Sequence, residues 1–240
     1  MNQRIYVHEF VDIIGHNRAN YFEHMTSGYT AAAKERRQVC FGIWGTLGIT
    51  RRWPEAINLW EYRDLDHVRQ RNEHETSGNS MQDPTLREWW AKAQAFRRGG
   101  TDRLLVPADY SPSIAEVIAR GIVGWRVFYH EIVKVVPGEA QRYLALLAEH
   151  WLAPAKAMGK ELIGAYRTAM RNDSEVFLIW ALRDWQTWME AEREYIYGSP
   201  RLARWRGATH GVALDWESFL ACSAPLSPLQ TGRQPWEHAA

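Results

Sequence analysis

The chain has 240 residues, of which 46% are hydrophobic and 24% charged, a composition typical of a globular protein with one large core or two ordinary ones. Its 29 Lys and Arg residues nearly balance 28 Asp and Glu residues, and the resulting formal charge of +1 argues against nucleic acid or an anionic membrane as the partner. The two cysteines, Cys40 and Cys222, form no CxxC pair, which argues against a disulfide framework and a thiolate zinc site.

The N-terminus and the hydropathy pattern predict a cytoplasmic protein without a membrane segment. Residues 1–4 lead directly into a strand pattern, with no apolar signal region. No window approaches the roughly 18 consecutive apolar residues of a membrane-spanning helix. The expected partner is therefore a small apolar or aromatic molecule, and neither nucleic acid nor a membrane.

The first half of the chain predicts the order strand, helix, strand, strand, helix, strand. Alternation of apolar and polar residues indicates strands, whereas apolar residues three or four apart indicate helices. The predicted elements are a strand at 5–14, a helix from the turn at 15–17 towards 36–37, strands at 39–44 and 56–62, a helix N-capped by Asp64, a helical segment from Pro84 to the glycines at 99–100, and a strand at 102–106. This is the βαββαβ order of a ferredoxin-like unit, in which an antiparallel sheet carries both helices on one face.

The second half repeats the first. The stretch YVHEFV at 6–11 returns as FYHEIV at 128–133, 122 residues later, and at the same step Gly42 falls on Gly164 and Trp44 on Tyr166. The predicted elements of this half are strands at 127–136, 162–166, 175–182 and 212–219, a first helix from about Tyr143 to Ala155, and helical segments that begin at Trp185 and Pro200. We therefore predict two domains, at 1–110 and 125–222, a linker at 111–124 with a short helix near 114–120, and a C-terminal surface tail at 223–240.

Pairing of the two sheets follows from their uncovered faces. A ferredoxin-like sheet carries helices on one face only, so its other face is an apolar surface that a second sheet can cover. From the alternation along these strands we predict that His8 and His130 face the helices of their own half. Glu9 and Glu131 would then face the opposite sheet.

Motifs in both halves resemble NIPSNAP domains. They are the strand with an internal Glu at 5–11, the segment NLWEYRDL at 58–65, the segment LLVP at 104–107, residues 129–143 with the turn Pro137-Gly138, and residues 177–184. The resemblance covers about 5–110 and 127–222 and implies the dimeric α/β barrel superfamily. It thus implies an α+β protein in which two tandem ferredoxin-like βαββαβ domains pair their sheets into an intrachain dimeric α/β barrel.

The same resemblance implies where the functional site lies, between helices and sheet, but it does not imply one reaction. The superfamily includes cofactor-independent monooxygenases, polyketide cyclases, lactone isomerases, haem-binding enzymes and stress-response proteins. Where NIPSNAP domains have a Tyr before the strand Glu, this chain has His8 and His130.

His8 and His130 are the predicted catalytic residues, because an imidazole that faces such a pocket titrates near neutral pH and can move a proton. The predicted substrate-binding residues are Tyr6, Trp60, Trp180, His24 and His150, which would surround a flat apolar molecule. The structural alternatives are satisfied core histidines, helix histidines at the surface and an aromatic core. Glu9 and Glu131 are expected to be buried with a partner such as an Arg or a hydroxyl, either as structural ion pairs or as carboxyls with a raised pKa.

The chain lacks GxGxxG, GxxxxGK[ST] and GxSxG motifs, and no HxxxH or HxxE cluster marks its first helices, so no nucleotide, metal or other cofactor is predicted. The leading hypothesis is a cofactor-independent enzyme that acts on a small apolar or aromatic molecule by histidine-assisted proton transfer, as an isomerase, cyclase or monooxygenase. One alternative is a non-catalytic NIPSNAP-type protein that binds a ligand or partner. Another is a haem-binding protein with His24 or His150 as axial ligand. Whether the barrel forms a homo-oligomer stays open.

Overall fold

The computed structural model describes residues 2–28, 34–35, 38–78 and 83–238. Within them the strands are β1 Ile5–Ile13, β2 Val39–Thr46, β3 Glu55–Tyr62, β4 Arg97–Pro107, β5 Val127–Val135, β6 Glu161–Ala169, β7 Glu175–Leu182 and β8 Ala213–Ser223. The helices are α1 Arg18–Thr26, α2 Leu65–Glu75, α3 Arg87–Ala93, α4 Ile114–Ala119, α5 Ala140–His150, α6 Leu152–Ala157, α7 Trp185–Tyr197, α8 Pro200–Ala208 and α9 Pro228–Thr231. Short 3-10 helices cover Pro84–Leu86 and Pro235–Glu237.

The described strands close into one antiparallel barrel in the order β1-β3-β2-β8-β5-β7-β6-β4. The first half of the chain supplies β4-β1-β3-β2, and the second half supplies β8-β5-β7-β6 in the equivalent order. The halves meet where β4 pairs with β6 and β2 with β8. The prediction of an α+β protein built on antiparallel strands is confirmed, and a single chain closes the barrel.

Two helices begin at N-caps in equivalent positions of the two halves. Asp64 accepts a hydrogen bond from the backbone N–H of His67 at 2.8 Å, and Asp184 accepts one from the backbone N–H of Thr187 at 2.8 Å. Each Asp follows the third strand of its half and satisfies a backbone donor that the first helical turn leaves free. The predicted N-cap at Asp64 is confirmed.

The fourth strand is longer than predicted. β4 begins at Arg97, so the glycines expected to end a helix lie inside the strand. A Cβ at Gly100 would lie 2.0 Å from the backbone oxygen of Phe10, so the backbones of β4 and β1 approach too closely for a side chain at this position.

The first predicted helix is not continuous, because α1 ends at Thr26, whereas the described residues 34–35 are again helical. The hydroxyl of Thr26 donates a hydrogen bond to the backbone oxygen of Phe22 at 2.7 Å, four residues earlier in the helix. The predicted span also included residues 29–33 and 36–37, which lie outside the described residues.

His8 and His130 point into the barrel, which corrects the predicted assignment of the strand faces. The core inside the barrel combines side chains from both halves, among them Tyr6, Phe10, Leu59, Phe128, Ile132 and Ile179. The His8 ring lies 4.2 Å from the ring of Phe177, and the His130 ring lies 5.3 Å from that of Phe219. Glu9 and Glu131 consequently face the helices. The alternation of side chains did not predict this orientation, because both faces of β1 and β5 are largely apolar and buried. It therefore does not indicate which face lies inside the barrel.

The C-terminal segment is not the predicted surface tail. The Gln234 side chain accepts a hydrogen bond from the N–H of Cys40 at 2.8 Å and donates one to its carbonyl at 2.9 Å. Leu229 is fully buried and packs with the linker helix α4 in the core that fills the barrel. Only residues 44–46 of β2 pair with β8, so the C-terminal segment covers the part of β2 that β8 leaves free.

Two Arg–Glu pairs lie at the other end of the barrel. Arg51 Nε lies 2.7 Å from Glu55, and Arg103 Nε lies 2.7 Å from Glu175. The Arg51 guanidinium also lies 4.2 Å above the ring of Phe10, which places charge directly over the aromatic interior.

The outward faces of the two sheets carry the remaining helices. None of the described helices is long and apolar enough to cross a membrane.

Candidate active site

A cleft of about 220 Å³ lies between the second-half sheet and its helices, and we call it the second-half cleft. Its lining comes from β5, α5, α7, α8 and β8 and includes Glu131, Tyr143, Tyr195, Leu202, Trp205 and Trp216. Arg206 and Asp215 also line it, and both are exposed. The cleft therefore combines a largely apolar wall with one buried carboxylate.

Glu131 is held at the inner wall by β5 and is 9% exposed. Its Oε2 accepts a hydrogen bond from Trp180 Nε1 at 3.0 Å, and its Oε1 lies 3.6 Å from Lys160 Nζ. Trp180 is on the adjacent strand β7, where it pairs with Tyr129, two residues before Glu131. The expectation of a buried Glu with a partner is confirmed, with a lysine in place of the expected arginine or hydroxyl.

Lys160 reaches Glu131 because of the way α6 ends. The N–H of Gly159 donates to the oxygen of Lys156 at 2.9 Å, and the N–H of Lys160 donates to the oxygen of Ala155 at 3.0 Å. With Gly159 at a φ of 76°, this is a Schellman motif, which favours glycine because its left-handed backbone disfavours a Cβ. The motif turns the chain directly into β6 and leaves Lys160 beneath the helical layer.

The Lys160 amine is enclosed by aromatic rings. The residue is 2% exposed, and its Nζ lies 4.1 Å from the ring centre of Tyr129 and 5.0 Å from those of Trp180 and Tyr195. Nζ also lies 3.2 Å from the Tyr195 hydroxyl. Burial lowers the pKa of Lys160, although the nearby carboxylates of Glu131 and Glu192 act in the opposite direction. The amine consequently gives up its proton more readily than a lysine in water.

Stacked aromatic side chains form the outer wall of the second-half cleft. The Trp205 ring on α8 lies 5.6 Å from that of Trp151 at an interplanar angle of 17°, and 5.5 Å from that of Tyr143 at 66°. Burial raises the pKa of the Tyr143 and Tyr195 hydroxyls well above the ordinary value, so both stay protonated and can donate hydrogen bonds. The cleft thus offers flat apolar surfaces, hydroxyl donors and the buried Glu131 carboxylate, with the Lys160 amine behind that carboxylate.

The first half keeps the Glu–Trp contact but not the lysine. Glu9 Oε2 accepts hydrogen bonds from Trp60 Nε1 at 3.2 Å and from Asn58 Nδ2 at 2.7 Å. The residue 122 positions before the buried lysine is Gln38, which is also buried. On β4, the surface residue Asp102 stands opposite Glu9, and partial desolvation, followed by the charge of Glu9, raises the pKa of Asp102 to about 6. The two halves therefore share a fold contact and differ in chemistry.

The predicted catalytic histidines lie away from this cleft. His8 and His130 have no exposed surface, and their ring nitrogens have no hydrogen-bond partner within the described ranges. Burial lowers the pKa of both, in the case of His130 to about 3, so both imidazoles are neutral near pH 7. Within the same ranges, no three His, Cys, Asp or Glu side chains gather into a metal site.

The five predicted substrate-binding residues are spread over several places. Trp180 contacts Glu131 beside the second-half cleft, and Trp60 makes the equivalent contact in the first half. Tyr6 lies inside the barrel, 4.8 Å from the ring of Tyr166. His24 stacks on Trp89 at 4.3 Å, and the half-exposed His150 lies 3.5 Å from Glu149 at the surface. Only Trp180 joins the residues around Glu131.

Sequence reasoning missed Lys160, Tyr143, Tyr195 and Trp205 as members of one site. A comparison of the two halves residue by residue contains a signal for the lysine, because a charged Lys160 stands where the first half has Gln38, one residue before a buried strand. The aromatic members carry no comparable signal, since their helical spacing fits any buried face.

No protein-family profile and no curated protein sequence matches the chain. Solved structures do match it. An anthrone oxidase-like protein is 10% identical, with 92% of this chain and 91% of its own covered and a TM-score of 0.62. A "putative monooxygenase" from Lactobacillus acidophilus NCFM is 10% identical, with 92% of this chain and 94% of its own covered and a TM-score of 0.60. At this identity the likeness shows the fold alone.

NIPSNAP family proteins are also among the similar structures. One of unknown function, from Agrobacterium tumefaciens str. C58, is 18% identical, with 45% of this chain and 96% of its own covered and a TM-score of 0.40. NIPSNAP proteins, which the sequence motifs resemble, are thus among the solved structures that are similar to this chain.

Proposed function

We propose that the chain is a cofactor-independent enzyme of the dimeric α/β barrel type, which acts on a small apolar or aromatic molecule in the second-half cleft. The observation that carries the proposal is the carboxylate of Glu131 at the inner wall of an aromatic cleft, 3.6 Å from the buried Lys160 amine. The fold-level likeness to an anthrone oxidase-like protein and to a "putative monooxygenase" supports an enzyme of this class.

The proposed chemistry is proton transfer at Glu131. A flat substrate would lie against the rings of Tyr143 and Trp205, which exclude water and hold its acidic C–H or O–H beside the carboxylate. Glu131 would take that proton, and the hydroxyl of Tyr195 would donate a hydrogen bond to the oxygen on which negative charge develops. Return of the proton to a different atom completes an isomerisation or a cyclisation, whereas oxygenation requires molecular oxygen as a second substrate.

Histidine-assisted transfer is the other version of this proposal. His8 and His130 both lie near Phe177 inside the barrel, and each can accept a proton as a neutral imidazole. Glu131 takes precedence because it borders a cleft that a substrate can enter, whereas both imidazoles are fully enclosed.

We also propose that residues 1–110 and 125–222 are two tandem ferredoxin-like domains. The equivalent strand orders, the N-caps at Asp64 and Asp184, and the Glu–Trp contact repeated in each half support this description. Mass-spectrometric hydrogen exchange tests it, since two domains should each lose protection as a unit, whereas a barrel that opens as one body contradicts it.

The chain supplies its own control for the test of Glu131. The protein is incubated in D2O with small aromatic ketones such as acetophenone and 1-indanone, and proton NMR measures exchange of the acidic C–H. Glu131→Gln should slow the protein-dependent exchange by about 10²- to 10⁴-fold, the usual contribution of a general base. Glu9→Gln makes the same change at the equivalent strand position outside the cleft and should retain the wild-type rate.

The alternatives give different results in the same experiment. Exchange that persists in Glu131→Gln but disappears in His8→Ala or His130→Ala would transfer the role to the histidines. Ketones that bind, by saturation-transfer NMR, without any exchange would favour the non-catalytic ligand-binding alternative. Ketones that neither bind nor exchange would contradict the proposal.

A further inference from the structure

The amine of Lys160 is not required by the fold. A buried ion pair stabilises a protein little compared with apolar residues of similar volume, so it calls for another explanation. In the first half, Glu9 is satisfied by Trp60 and Asn58 without any lysine, and Gln38 occupies the equivalent position. Both halves close the same kind of sheet, so the fold does not account for an amine in only one of them.

Cavities reach Lys160 from two sides. Its two polar neighbours, Glu131 and Tyr195, line the second-half cleft. Lys160 itself lines another cavity of about 150 Å³, which we call the side cavity, together with Leu162 and Trp180. Lys160 therefore borders the side cavity directly and the second-half cleft through Glu131 and Tyr195. Both linings mix apolar and charged side chains, and those of the side cavity include Arg120 and Lys156.

We propose that Lys160 is a nucleophilic amine that captures a small aldehyde or ketone as an imine. Three features of the surroundings favour this chemistry. The amine is enclosed away from water, which favours its neutral and nucleophilic form and disfavours hydrolysis of the imine. Glu131, 3.6 Å away, can take and return the protons. The Tyr195 hydroxyl, 3.2 Å away, can donate a hydrogen bond to the carbonyl oxygen.

The step balances without an oxidant or reductant. In the uncharged state of the pair, Glu131 holds the proton and Lys160 has a free lone pair. The amine nitrogen attacks the carbonyl carbon, the electrons of the C=O π bond move to oxygen, and a proton moves from nitrogen to oxygen. With the proton of Glu131 the hydroxyl leaves as water, and C=N forms as a cationic iminium beside a carboxylate. That iminium acidifies the adjacent C–H, which Glu131 can then remove to give an enamine.

This inference deepens the proposed function and rests on it, because it names carbonyl compounds as the substrate class of the same site. It also makes a separate prediction. Imine formation is a property of Lys160 and leaves a trace even when no proton is exchanged, whereas the proposed function depends on proton removal by Glu131.

The test uses the full chain with benzaldehyde and sodium cyanoborohydride, which reduces an imine to a stable benzyl amine. Intact mass spectrometry and peptide mapping then locate the adduct. We expect one benzyl group at Lys160, formed at least about tenfold faster than at the exposed Lys92, because burial favours the neutral amine and keeps water from the imine. Lys160→Arg should abolish the fast adduct, and Lys92→Arg should leave it unchanged.

The outcomes distinguish a failure of the imine proposal from a failure of the proposed function. Labelling of Lys160 that is no faster than labelling of Lys92 in the wild-type protein overturns the inference, and that comparison needs no variant to fold. If Glu131→Gln loses deuterium exchange while wild-type Lys160 is never preferentially labelled, the proposed function stands without the imine. If Lys160 is labelled rapidly while exchange is independent of Glu131, the imine stands and the assignment of the base is wrong.

Discussion

Acidification should destabilise this protein because its barrel encloses two neutral histidines. His8 and His130 are fully buried, and within the described part of the chain no group accepts a proton from either ring. Burial lowers the pKa of each imidazole, and the guanidinium of Arg51 acts in the same direction on both. Arg103 adds to the effect on His8.

Proton linkage gives the size of the effect. The unfolded chain binds a proton at His130 with a pKa of about 6.5, whereas the folded chain binds one only at about 3. Between these values the unfolded state holds more protons, so the free energy of unfolding falls as the pH falls. From pH 7 to pH 5 the loss from His130 alone is about 2 kcal/mol, and nothing is lost above pH 7.

A variant separates this effect from other titrations. Asp102, whose pKa partial desolvation raises to about 6, gains its proton first in the folded state and so acts with the opposite sign. In His130→Phe the new ring keeps contacts with Phe177 and Phe219 but cannot be protonated, so the variant should lose about 2 kcal/mol less than the wild type between pH 7 and pH 5.

The assay is urea unfolding followed by tryptophan fluorescence at pH 5, 6 and 7. His150→Phe, at the half-exposed surface position, serves as the control and should keep the pH dependence of the wild type. An identical pH dependence in His130→Phe and the wild type would refute the reasoning.

Three further perturbations test other parts of the fold by the same urea unfolding. Hydrogen bonds from Arg103 and Lys134 hold the pKa of Glu175 at about 2 despite its burial. Glu175→Gln should lower the free energy of unfolding by about 3–5 kcal/mol, because Arg103 keeps an uncompensated buried charge. An unchanged urea midpoint would contradict this. Gly164→Ala places a Cβ 2.5 Å from an aromatic ring and should cost about 1–3 kcal/mol, whereas Gly207→Ala, with no atom within 4 Å, should be neutral or stabilising; equal effects would show that the crowding is not real. Leu229→Ala should lower the free energy of unfolding by about 2–5 kcal/mol if the C-terminal segment belongs to the core. A loss below about 0.5 kcal/mol would indicate that Leu229 lies at the surface.

Local patterns predicted the elements and their order well. Asp64 follows β3 and caps the next helix, because its side chain accepts a hydrogen bond from the backbone of His67, only three residues away. The similarity between the stretches at 6–11 and 128–133 was visible for the same reason, since both are local strand patterns. Information of this kind is contained in each segment.

The candidate site depends on contacts between residues that lie far apart in the sequence. Glu131 meets Trp180 from 49 residues away, and Cys40 meets Gln234 from 194 residues away. Composition alone made the C-terminal segment a surface tail, although the partner that buries it is a strand near the start of the chain.

By itself, the sequence determined the antiparallel α+β elements, the two matching halves and the resemblance to NIPSNAP proteins. Only the tertiary structure decided that His8 and His130 face the barrel interior and that Glu131 and Lys160 meet behind an aromatic cleft. The physical reason is that β1 and β5 are apolar on both faces, so either orientation satisfies the period of two. The orientation is decided when the two halves close the barrel, because one face of each strand then packs against the opposite half and the other against the helices.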